Sequence, residues 1–334
     1  IPLRLVGSEM CIRDSIETLH SSWVDTIQVI KNTVALLQQN LYDQPIKPYL
    51  SFENSANRII AMPARIGHDK TGTCGIKWIA SFPDNINHDI SRANSVTILN
   101  SSTTGQIKCI INTSTISAIR TASVTGYFLS EYFKKKNSHN YSVLLLGFGP
   151  IGQHHLDMLL SEYSSLISNI YIYDLRDVSV PQSQNVNIEK ISNWKEQFSN
   201  VDIALTCTTS SNGYINLPPK QGSLHLNVSL RDYHYNMQKY FTNIFVDNWD
   251  EVCRANTDIE VMHNKNNLSK ESVIEISSLE DTSITKDDIS FFCPMGMACF
   301  DIAIAEYFYN RSNNMSLGIS LDSVSYTHLR AHET

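Results

Sequence analysis

The chain has 334 residues, of which 42% are hydrophobic, and it carries a formal net charge of −7. This length is enough for two ordinary domains with sizeable cores. The negative charge argues against non-specific binding to nucleic acid or to an anionic membrane surface. No apolar run approaches the roughly 20 residues of a membrane-spanning helix. We therefore expect neither a nucleic-acid partner nor a membrane partner.

Seven cysteines are scattered along the chain without the paired spacing of a disulfide framework or a metal site. This pattern is typical of reduced thiols in a cytoplasmic protein, so we expect that location, no disulfides and no bound metal. Residues 1–15 and 323–334 resemble translated sequencing-adapter read-through. We expect both segments to be foreign and leave them out of the fold prediction.

The first part of the chain predicts one or two surface helices followed by a sheet. Apolar residues recur at helical spacing from about residue 16 to 39, until Pro45 and Pro48 interrupt the pattern. Strand-like segments separated by turn residues follow at 58–62, 75–81, 95–100 and 107–111. We expect these strands to form their own sheet. A helix over about 114–135 then leads to the next part of the chain.

A glycine-rich turn after a short apolar strand predicts a dinucleotide site. Gly147, Gly149 and Gly152 have the GxGxxG spacing and stand between a strand and a helix. The first glycine permits a tight turn, the second lets the backbone approach a pyrophosphate, and the third lets the helix begin close to the strand. We expect Pro150 and Ile151 to share this contact with the cofactor.

Asp174 ends the next strand, about twenty residues after the turn, where the dinucleotide pattern places an acid. Its carboxylate would accept hydrogen bonds from the adenosine ribose hydroxyls, which favours NAD over NADP. Arg176 could instead hold a 2′-phosphate. We expect NAD as the cofactor, and a solvated strand-end acid is the alternative interpretation of Asp174.

Further strand patterns at 201–209, 223–230 and 243–247 continue the α/β alternation. They predict an α/β fold in which residues 121–294 form a Rossmann doubly wound parallel sheet. Residues 16–120 and 295–322 would form a second, discontinuous α+β domain. An apolar helix over about 297–309 would return the chain to that domain.

Several charged side chains interrupt apolar segments or follow strands. Long charged side chains are seldom buried without a partner. For Arg58, Lys77 and Arg120 the partner could be a substrate carboxylate or an internal salt bridge, and the local sequence leaves both open. Arg92 is a weaker candidate, because a solvated loop cation explains it as well. Asp232 follows a strand whose carboxyl end would face a ligand crevice, so it could bind or deprotonate an amine, or be a plain surface acid.

The histidines offer no catalytic or metal pattern. His154 and His155 follow the glycine turn, and we interpret them as residues on the helix surface or near the phosphates. His225 lies within a strand pattern and is interpreted as a core histidine.

Together these segments resemble the ornithine cyclodeaminase/mu-crystallin family of NAD(P)-dependent proteins. The resemblance rests on residues 58–63, 75–83, 118–122, 147–152, 229–232 and 294–296. Within the family, residues 81–86, 227–232 and 250–258 look most like the branch that makes L-2,3-diaminopropionate for siderophores and peptide antibiotics.

The resemblance implies roles for individual residues. It implies that Arg58, Lys77 and Arg120 bind the substrate carboxylate, with Lys77 close to the reacting carbon. It also implies that Asp232 meets the substrate amine. The remaining substrate-binding candidates are Arg92 and Met295. The residues that would line the nicotinamide are Thr208, Leu226, Asn227, Val228, Ser229 and the loop of residues 294–296. The discontinuous domain would bind substrate and form a homodimer.

The implied reaction is NAD-dependent oxidation of the secondary amine N-(2-amino-2-carboxyethyl)-L-glutamate, followed by hydrolysis to 2-oxoglutarate and L-2,3-diaminopropionate. Several cations suit this tricarboxylate better than they suit ornithine, which has one carboxylate. Two alternatives stay open within the family: ornithine cyclodeaminase, and a dehydrogenase of alanine or of an imino acid. A third alternative is a non-catalytic NAD(P)H-binding protein like mu-crystallin.

Overall fold

A computed structural model describes residues 9–12, 16–19, 22–54 and 56–321 of the chain. The helices are α1 Ile16–Leu19, α2 Trp23–Gln38, α3 Thr115–Lys136, α4 Pro150–Tyr163, α5 Trp194–Phe198, α6 Trp249–Val252, α7 Asp258–Asn266 and α8 Ala298–Met315. The first strands are β1 Glu9–Ile12, β2 Tyr42–Asp43, β3 Tyr49–Ser51, β4 Arg58–Ile66, β5 Thr73–Ser81, β6 Ala93–Ser101 and β7 Ile107–Ile111. The later strands are β8 Tyr141–Leu146, β9 Ile167–Tyr173, β10 Asn187–Lys190, β11 Ile203–Thr206, β12 Leu224–Asn227, β13 Asn243–Val246, β14 Ile274–Glu275, β15 Ser290–Cys293 and β16 Ile319–Leu321.

The described chain divides into two compact units. Unit 1 comprises the described residues of 1–21, 41–116 and 301–334, and unit 2 comprises 22–40 and 117–300. The boundaries differ from the predicted ranges, most clearly at α2, which belongs to unit 2. Trp23 Nε1 donates to Asp157 at 2.8 Å, and the Ser123 hydroxyl donates to Thr26 at 2.9 Å. A periodic apolar face specifies that a helix is buried but not against which element, and chain order alone had assigned α2 to the other domain.

Unit 1 is built on a mostly antiparallel sheet with the strand order β16-β1-β7-β6-β5-β4-β2, and β3 pairs with β4. The strands predicted from the sequence are β4 to β7. Met62, Ala64 and Ile66 are buried at alternate positions of β4, as expected for a strand with one face on a core. Residues 9–12 form β1, parallel to β7. The other residues of the supposed foreign segments, 1–8, 13–15 and 323–334, lie outside the described residues, and their foreign origin stays a prediction.

Unit 2 contains the predicted doubly wound parallel sheet, and the α/β fold class is confirmed. Its strand order is β10-β9-β8-β11-β12-β15-β13-β14. The chain order reverses between β8 and β11, which is the switch point where such sheets bind ligands. All four residues of β11, of β12 and of β15 are buried, as is typical of parallel strands covered on both faces.

Strand β15 was missed in the sequence although it lies between β12 and β13. It has only four residues, Ser290–Cys293, and a proline follows it at once. So short an apolar run has no periodicity to distinguish it from a buried loop. Across the described ranges no helix is long and apolar enough to cross a membrane.

Candidate active site

The glycine turn after β8 is shaped for close approach of a ligand. Gly147 has φ +89°, and its N–H donates to the Tyr173 carbonyl at 2.8 Å. A Cβ atom on Gly147 would lie 2.6 Å from the carbonyl oxygen of Cys207. A Cβ atom on Gly152 would lie 2.2 Å from the carbonyl oxygen of Gly147. Both positions therefore require glycine for the fold itself.

Gly149 differs from the other two glycines, because the protein does not fill the space beside it. The nearest atom to a Cβ atom there would be Arg176 Nη2, at 3.9 Å. Gly149 caps α4, whose first helical residue is Pro150, so the free N–H groups of the first turn start at this open point. The open space and the free donors fit a pyrophosphate, as the sequence predicted.

Asp174 follows β9 beside this turn. Its Oδ2 accepts from the Phe148 N–H at 2.7 Å, and its Oδ1 accepts from the backbone N–H and the Nε of Arg176, both at 2.9 Å. The hydrogen bonds from Arg176 lower the pKa of Asp174 to about 2. The carboxylate is therefore ionised and suited to accept ribose hydroxyls, with an exposed arginine as its partner.

Of the two interpretations of His155, the one that placed it on the helix surface was wrong. Its side chain is fully buried, not on the helix surface. The ring lies between the Ile151 carbonyl, 2.7 Å from Nδ1, and the Thr125 hydroxyl, 2.9 Å from Nε2. Burial lowers the pKa of His155 to about 4, so the ring is neutral. His225 is a buried core histidine, as predicted, and contacts Ser223 and Tyr233.

Asp232 is fully buried after β12, so it is not a surface acid. The Thr208 hydroxyl donates to its Oδ1, and the Ser229 hydroxyl lies in hydrogen-bond contact with its Oδ2. Two residues predicted to line the nicotinamide thus hold the carboxylate. Val228, another residue predicted to line the nicotinamide, is half-buried next to Ser229 in the chain.

Asn227 is fully buried and its side chain is used within the protein. Its Oδ1 accepts from the Thr206 hydroxyl at 3.0 Å, and its Nδ2 donates to Asp258 at 2.8 Å. Asp258 also accepts the backbone N–H of Asp232 at 2.9 Å. Asp258 was not predicted as a site residue, because the sequence around it is polar and indicates only that a helix, α7, begins there.

In unit 2, the loop after β15, which contains Met295 and Gly296, contacts Arg120. The buried carboxylate of Asp247 accepts the backbone N–H groups of Met295 and Gly296, at 3.0 and 2.6 Å. Gly296 has φ +87°, and a Cβ atom there would lie 2.5 Å from Nη1 of Arg120. The buried guanidinium of Arg120 therefore packs directly on this glycine.

In unit 1, Lys77 is buried on β5 and forms an ion pair with Asp301 of α8, 2.8 Å from Nζ to Oδ1. The internal salt bridge considered for this lysine therefore exists. Asp301 was missed, although a lone acid within the apolar start of α8 was a signal of the same kind as Lys77.

Arg58 lies on β4, which pairs with β5 so that Met62 is directly opposite Lys77. Residues at alternate positions share a face, so Arg58 and Lys77 point to the same side of the sheet. The Nε of Arg58 is buried and has no hydrogen-bond partner within the described ranges. Arg92, half-buried at the start of β6, lies near the same end of the sheet.

The predicted site residues are thus divided between the units. Arg58, Lys77 and Arg92 belong to unit 1, whereas Arg120, Asp232, Met295 and the cofactor-binding candidates belong to unit 2. Their assignments as binding and catalytic residues stay predictions. In the described part of the chain, no group of three histidine, cysteine or acidic residues could hold a metal ion. The six cysteines Cys74, Cys109, Cys207, Cys253, Cys293 and Cys299 are free thiols.

Comparisons with known proteins identify the family. Residues 8–219 match the ornithine cyclodeaminase/mu-crystallin family. The N-((2S)-2-amino-2-carboxyethyl)-L-glutamate dehydrogenase of Staphylococcus aureus is 32% identical over 302 residues, which is 85% of this chain and 88% of that protein.

Solved structures show the same fold at lower identity. The Δ1-pyrroline-2-carboxylate reductase of Thermococcus litoralis, in complex with NADH and L-proline, superposes with a TM-score of 0.81 at 16% identity, covering 93% of this chain and 99% of that one. An archaeal alanine dehydrogenase dimer with bound NAD superposes with a TM-score of 0.78 at 20% identity, covering 95% and 99%.

Proposed function

Because the chain belongs to the ornithine cyclodeaminase/mu-crystallin family, we propose that it oxidises N-(2-amino-2-carboxyethyl)-L-glutamate and releases 2-oxoglutarate and L-2,3-diaminopropionate. It is an NAD-dependent oxidoreductase. The observation that carries the choice of substrate is the 32% identity, over most of both chains, with the Staphylococcus aureus dehydrogenase of this compound. The free thiols of the described cysteines support a cytoplasmic location.

The cations predicted to bind substrate suit a substrate with several carboxylates. In this proposal Arg58, Lys77 and Arg120 bind the carboxylates, and Arg92 adds charge near Arg58. The buried Nε of Arg58 has no acceptor among the described residues, so a carboxylate oxygen would complete its hydrogen bonding. Lys77 is held by its ion pair with Asp301.

Bound NAD supplies the acceptor for the hydride of the α-carbon on the glutamate side. Loss of that hydride turns the C–N bond into C=N. Water then adds to the carbon, and cleavage of the C–N bond leaves 2-oxoglutarate and the amine of diaminopropionate. Asp232 accepts the proton of the substrate amine, or of the attacking water, because Thr208 and Ser229 hold its carboxylate in place. Arg58, Lys77 and Arg120 orient the substrate through its carboxylates.

Product analysis tests this proposal. The full chain is incubated with NAD and N-(2-amino-2-carboxyethyl)-L-glutamate, and NADH is followed by absorbance. We expect one 2-oxoglutarate and one 2,3-diaminopropionate for each NADH. Absence of NADH with this substrate, together with ammonia release from ornithine, would instead identify a cyclodeaminase. NADH formation with alanine alone would identify an alanine dehydrogenase.

The variant Lys77→Met distinguishes an enzyme from a non-catalytic binding protein. One preorganised charge can contribute roughly 3–4 kcal/mol to transition-state stabilisation, so an enzyme should lose turnover by orders of magnitude. A pure binder would show no turnover before the substitution and unchanged ligand affinity after it. NAD affinity, measured by calorimetry, is the control, since Lys77 is not among the residues predicted to bind NAD.

We further propose that the chain forms a homodimer through the outer face of the unit 1 sheet. Ile76 and Trp78 lie on the face of β5 opposite Lys77, and Val96 and Ile98 are their neighbours on β6. All four remain partly exposed, and Trp78 is 40% exposed. A contiguous apolar sheet face of this kind is typical of an interaction surface. Light scattering should give a dimer for the wild type and a smaller mass for Trp78→Glu; a monomeric wild type would contradict the proposal.

A further inference from the structure

The side chain of Arg176 covers the carboxylate of Asp174. Its Nε donates to Oδ1 at 2.9 Å, and its Nη2 donates to Oδ2 at 3.0 Å. Two backbone N–H groups donate as well: that of Arg176 to Oδ1 at 2.9 Å and that of Phe148 to Oδ2 at 2.7 Å. The Asp174 side chain is 8% exposed, whereas that of Arg176 is 62% exposed. The guanidinium therefore lies on the solvent side of the carboxylate.

The two side-chain donors of Arg176 match the two hydroxyls of an adenosine ribose. A carboxylate has about four lone-pair sites, and Asp174 accepts four hydrogen bonds in this structure. The ribose of NAD would bring one hydroxyl donor to each of the same oxygens. The two backbone donors are fixed by the fold, so the hydroxyls can replace only the guanidinium. Binding of the ribose to Asp174 therefore displaces the side chain of Arg176.

The displaced guanidinium lies close to the position expected for the pyrophosphate. Arg176 Nη2 is 3.9 Å from the point where a Cβ atom on Gly149 would lie. Gly149 caps α4, whose free N–H groups fit the phosphates. An exposed arginine has several rotatable bonds and reaches such a neighbour without movement of the backbone. A guanidinium also forms strong, charge-assisted hydrogen bonds with phosphate oxygens.

We propose that Arg176 exchanges partners when NAD binds: its guanidinium leaves Asp174 to the ribose hydroxyls and binds the pyrophosphate beside Gly149. The ion pair that is given up is exposed and contributes little, whereas the contact with phosphate is charge-assisted, so the exchange favours binding. The sequence suggested a 2′-phosphate as the ligand of Arg176. The ionised Asp174 would repel that phosphate, and the position of Nη2 beside Gly149 favours the pyrophosphate.

Calorimetric titration of the full chain with adenosine and with ADP tests the exchange, because Arg176→Ala should change the two affinities in opposite directions. Adenosine has the ribose but no phosphate, so it loses only a competitor and should bind about two- to fivefold more tightly. ADP has both groups and loses the contact between guanidinium and phosphate. Its dissociation constant should rise about tenfold, and that of NAD should rise with it.

Two further variants show whether the charge and its position matter. Arg176→Lys should keep more of the ADP affinity than Arg176→Ala, since an ammonium group binds phosphate as a point charge. Lys220→Ala is the matched control, because Lys220 also forms a partly exposed ion pair in unit 2, 2.6 Å from Asp202. Asp202 directly precedes β11, at the end of the strand remote from the glycine turn. Lys220→Ala should leave both dissociation constants unchanged.

The other outcomes overturn the exchange. If Arg176→Ala tightens both ligands, the arginine only competes with the cofactor. If neither affinity changes, the pair with Asp174 is a surface ion pair without a role in binding. Weaker binding of adenosine would place the guanidinium on the nucleoside itself, and weaker binding of 2′-AMP with unchanged ADP affinity would place it on a 2′-phosphate. The proposal rests on the predicted position of NAD and not on the proposed substrate, so these titrations stand whether or not the glutamate adduct is oxidised.

Discussion

Lys77 and Asp301 form a buried ion pair, with 2.8 Å between Nζ and Oδ1 and with 2% and 3% of the side chains exposed. The two residues lie on a strand and a helix that are more than 200 positions apart in sequence. A buried pair contributes little when both charges are present, because desolvation offsets their attraction, but removing one partner leaves an uncompensated charge.

We therefore expect Asp301→Ala to lower the free energy of unfolding by about 3–5 kcal/mol. The double variant Lys77→Met, Asp301→Leu should recover much of that loss, because it removes both charges and fills the volume. Denaturant unfolding measures both. Glu306→Ala is the matched control: its partner Lys108 is 2.9 Å away, but the pair is more exposed, so the loss should be about 1 kcal/mol or less. Equal losses for the two alanine variants would contradict this account.

Gly149→Ala should weaken NAD binding without destabilising the protein. The structure leaves space for a Cβ atom at Gly149, and its φ is −77°, so the added methyl group would meet only the cofactor. We expect an unchanged melting temperature and an NAD dissociation constant raised tenfold or more. Gly147→Ala is the contrasting variant, because its φ of +89° and its contact with Cys207 make it unstable as well. Unchanged NAD affinity in Gly149→Ala would mean that the pyrophosphate lies elsewhere.

Gly296→Ala should raise KM for the amino-acid substrate more than it changes NAD affinity. A Cβ atom at this position would lie 2.5 Å from Nη1 of Arg120, so the guanidinium must move. If Arg120 binds a substrate carboxylate, initial-rate kinetics should show a KM increase of about tenfold or more, which corresponds to about 1.4 kcal/mol. Arg120→Lys should show the same split between substrate and cofactor. A Gly296→Ala variant with normal kinetics would remove Arg120 from the site.

His155 should make the folded state sensitive to acid. Burial lowers its pKa to about 4, against about 6.5 in an unfolded chain. Above about pH 6.5 the ring is neutral in both states and the stability is complete; as the pH falls from about 6.5 to 4, only the unfolded state takes up the proton. The free energy of unfolding should then fall by about 1.4 kcal/mol per pH unit.

His155→Gln should abolish the part of the pH dependence of the free energy of unfolding that comes from His155. The raised pKa of Asp258 gives a pH dependence of the opposite sign, but this contribution is the same in both proteins. The relevant quantity is therefore the difference between the two slopes in denaturant unfolding at a series of acidic pH values. Parallel curves for the wild type and His155→Gln would show that the buried histidine is not the group that titrates.

Local patterns were enough to predict a cofactor site because the residues that form it are close together in the chain. Gly147, Gly149 and Gly152 lie within one turn, and Asp174 follows at the end of the next strand. The same kind of information was insufficient for His155, where position beside the turn suggested a surface residue. Which side of α4 faces the core depends on what packs against it, and α3 supplies the Thr125 contact.

The sequence by itself determined the α/β class, the glycine turn, and the charged residues whose surroundings are too apolar for an ordinary surface. These features are local, because the spacing of apolar residues, glycines and charges is fixed along the chain. Only the tertiary structure decided what those charges meet: Asp301 for Lys77, Gly296 for Arg120, and Asp258 beneath Asp232. Each of these contacts joins residues at least 26 positions apart, and in the dry interior the partner decides whether a charge is stable, where its proton lies and what it can bind.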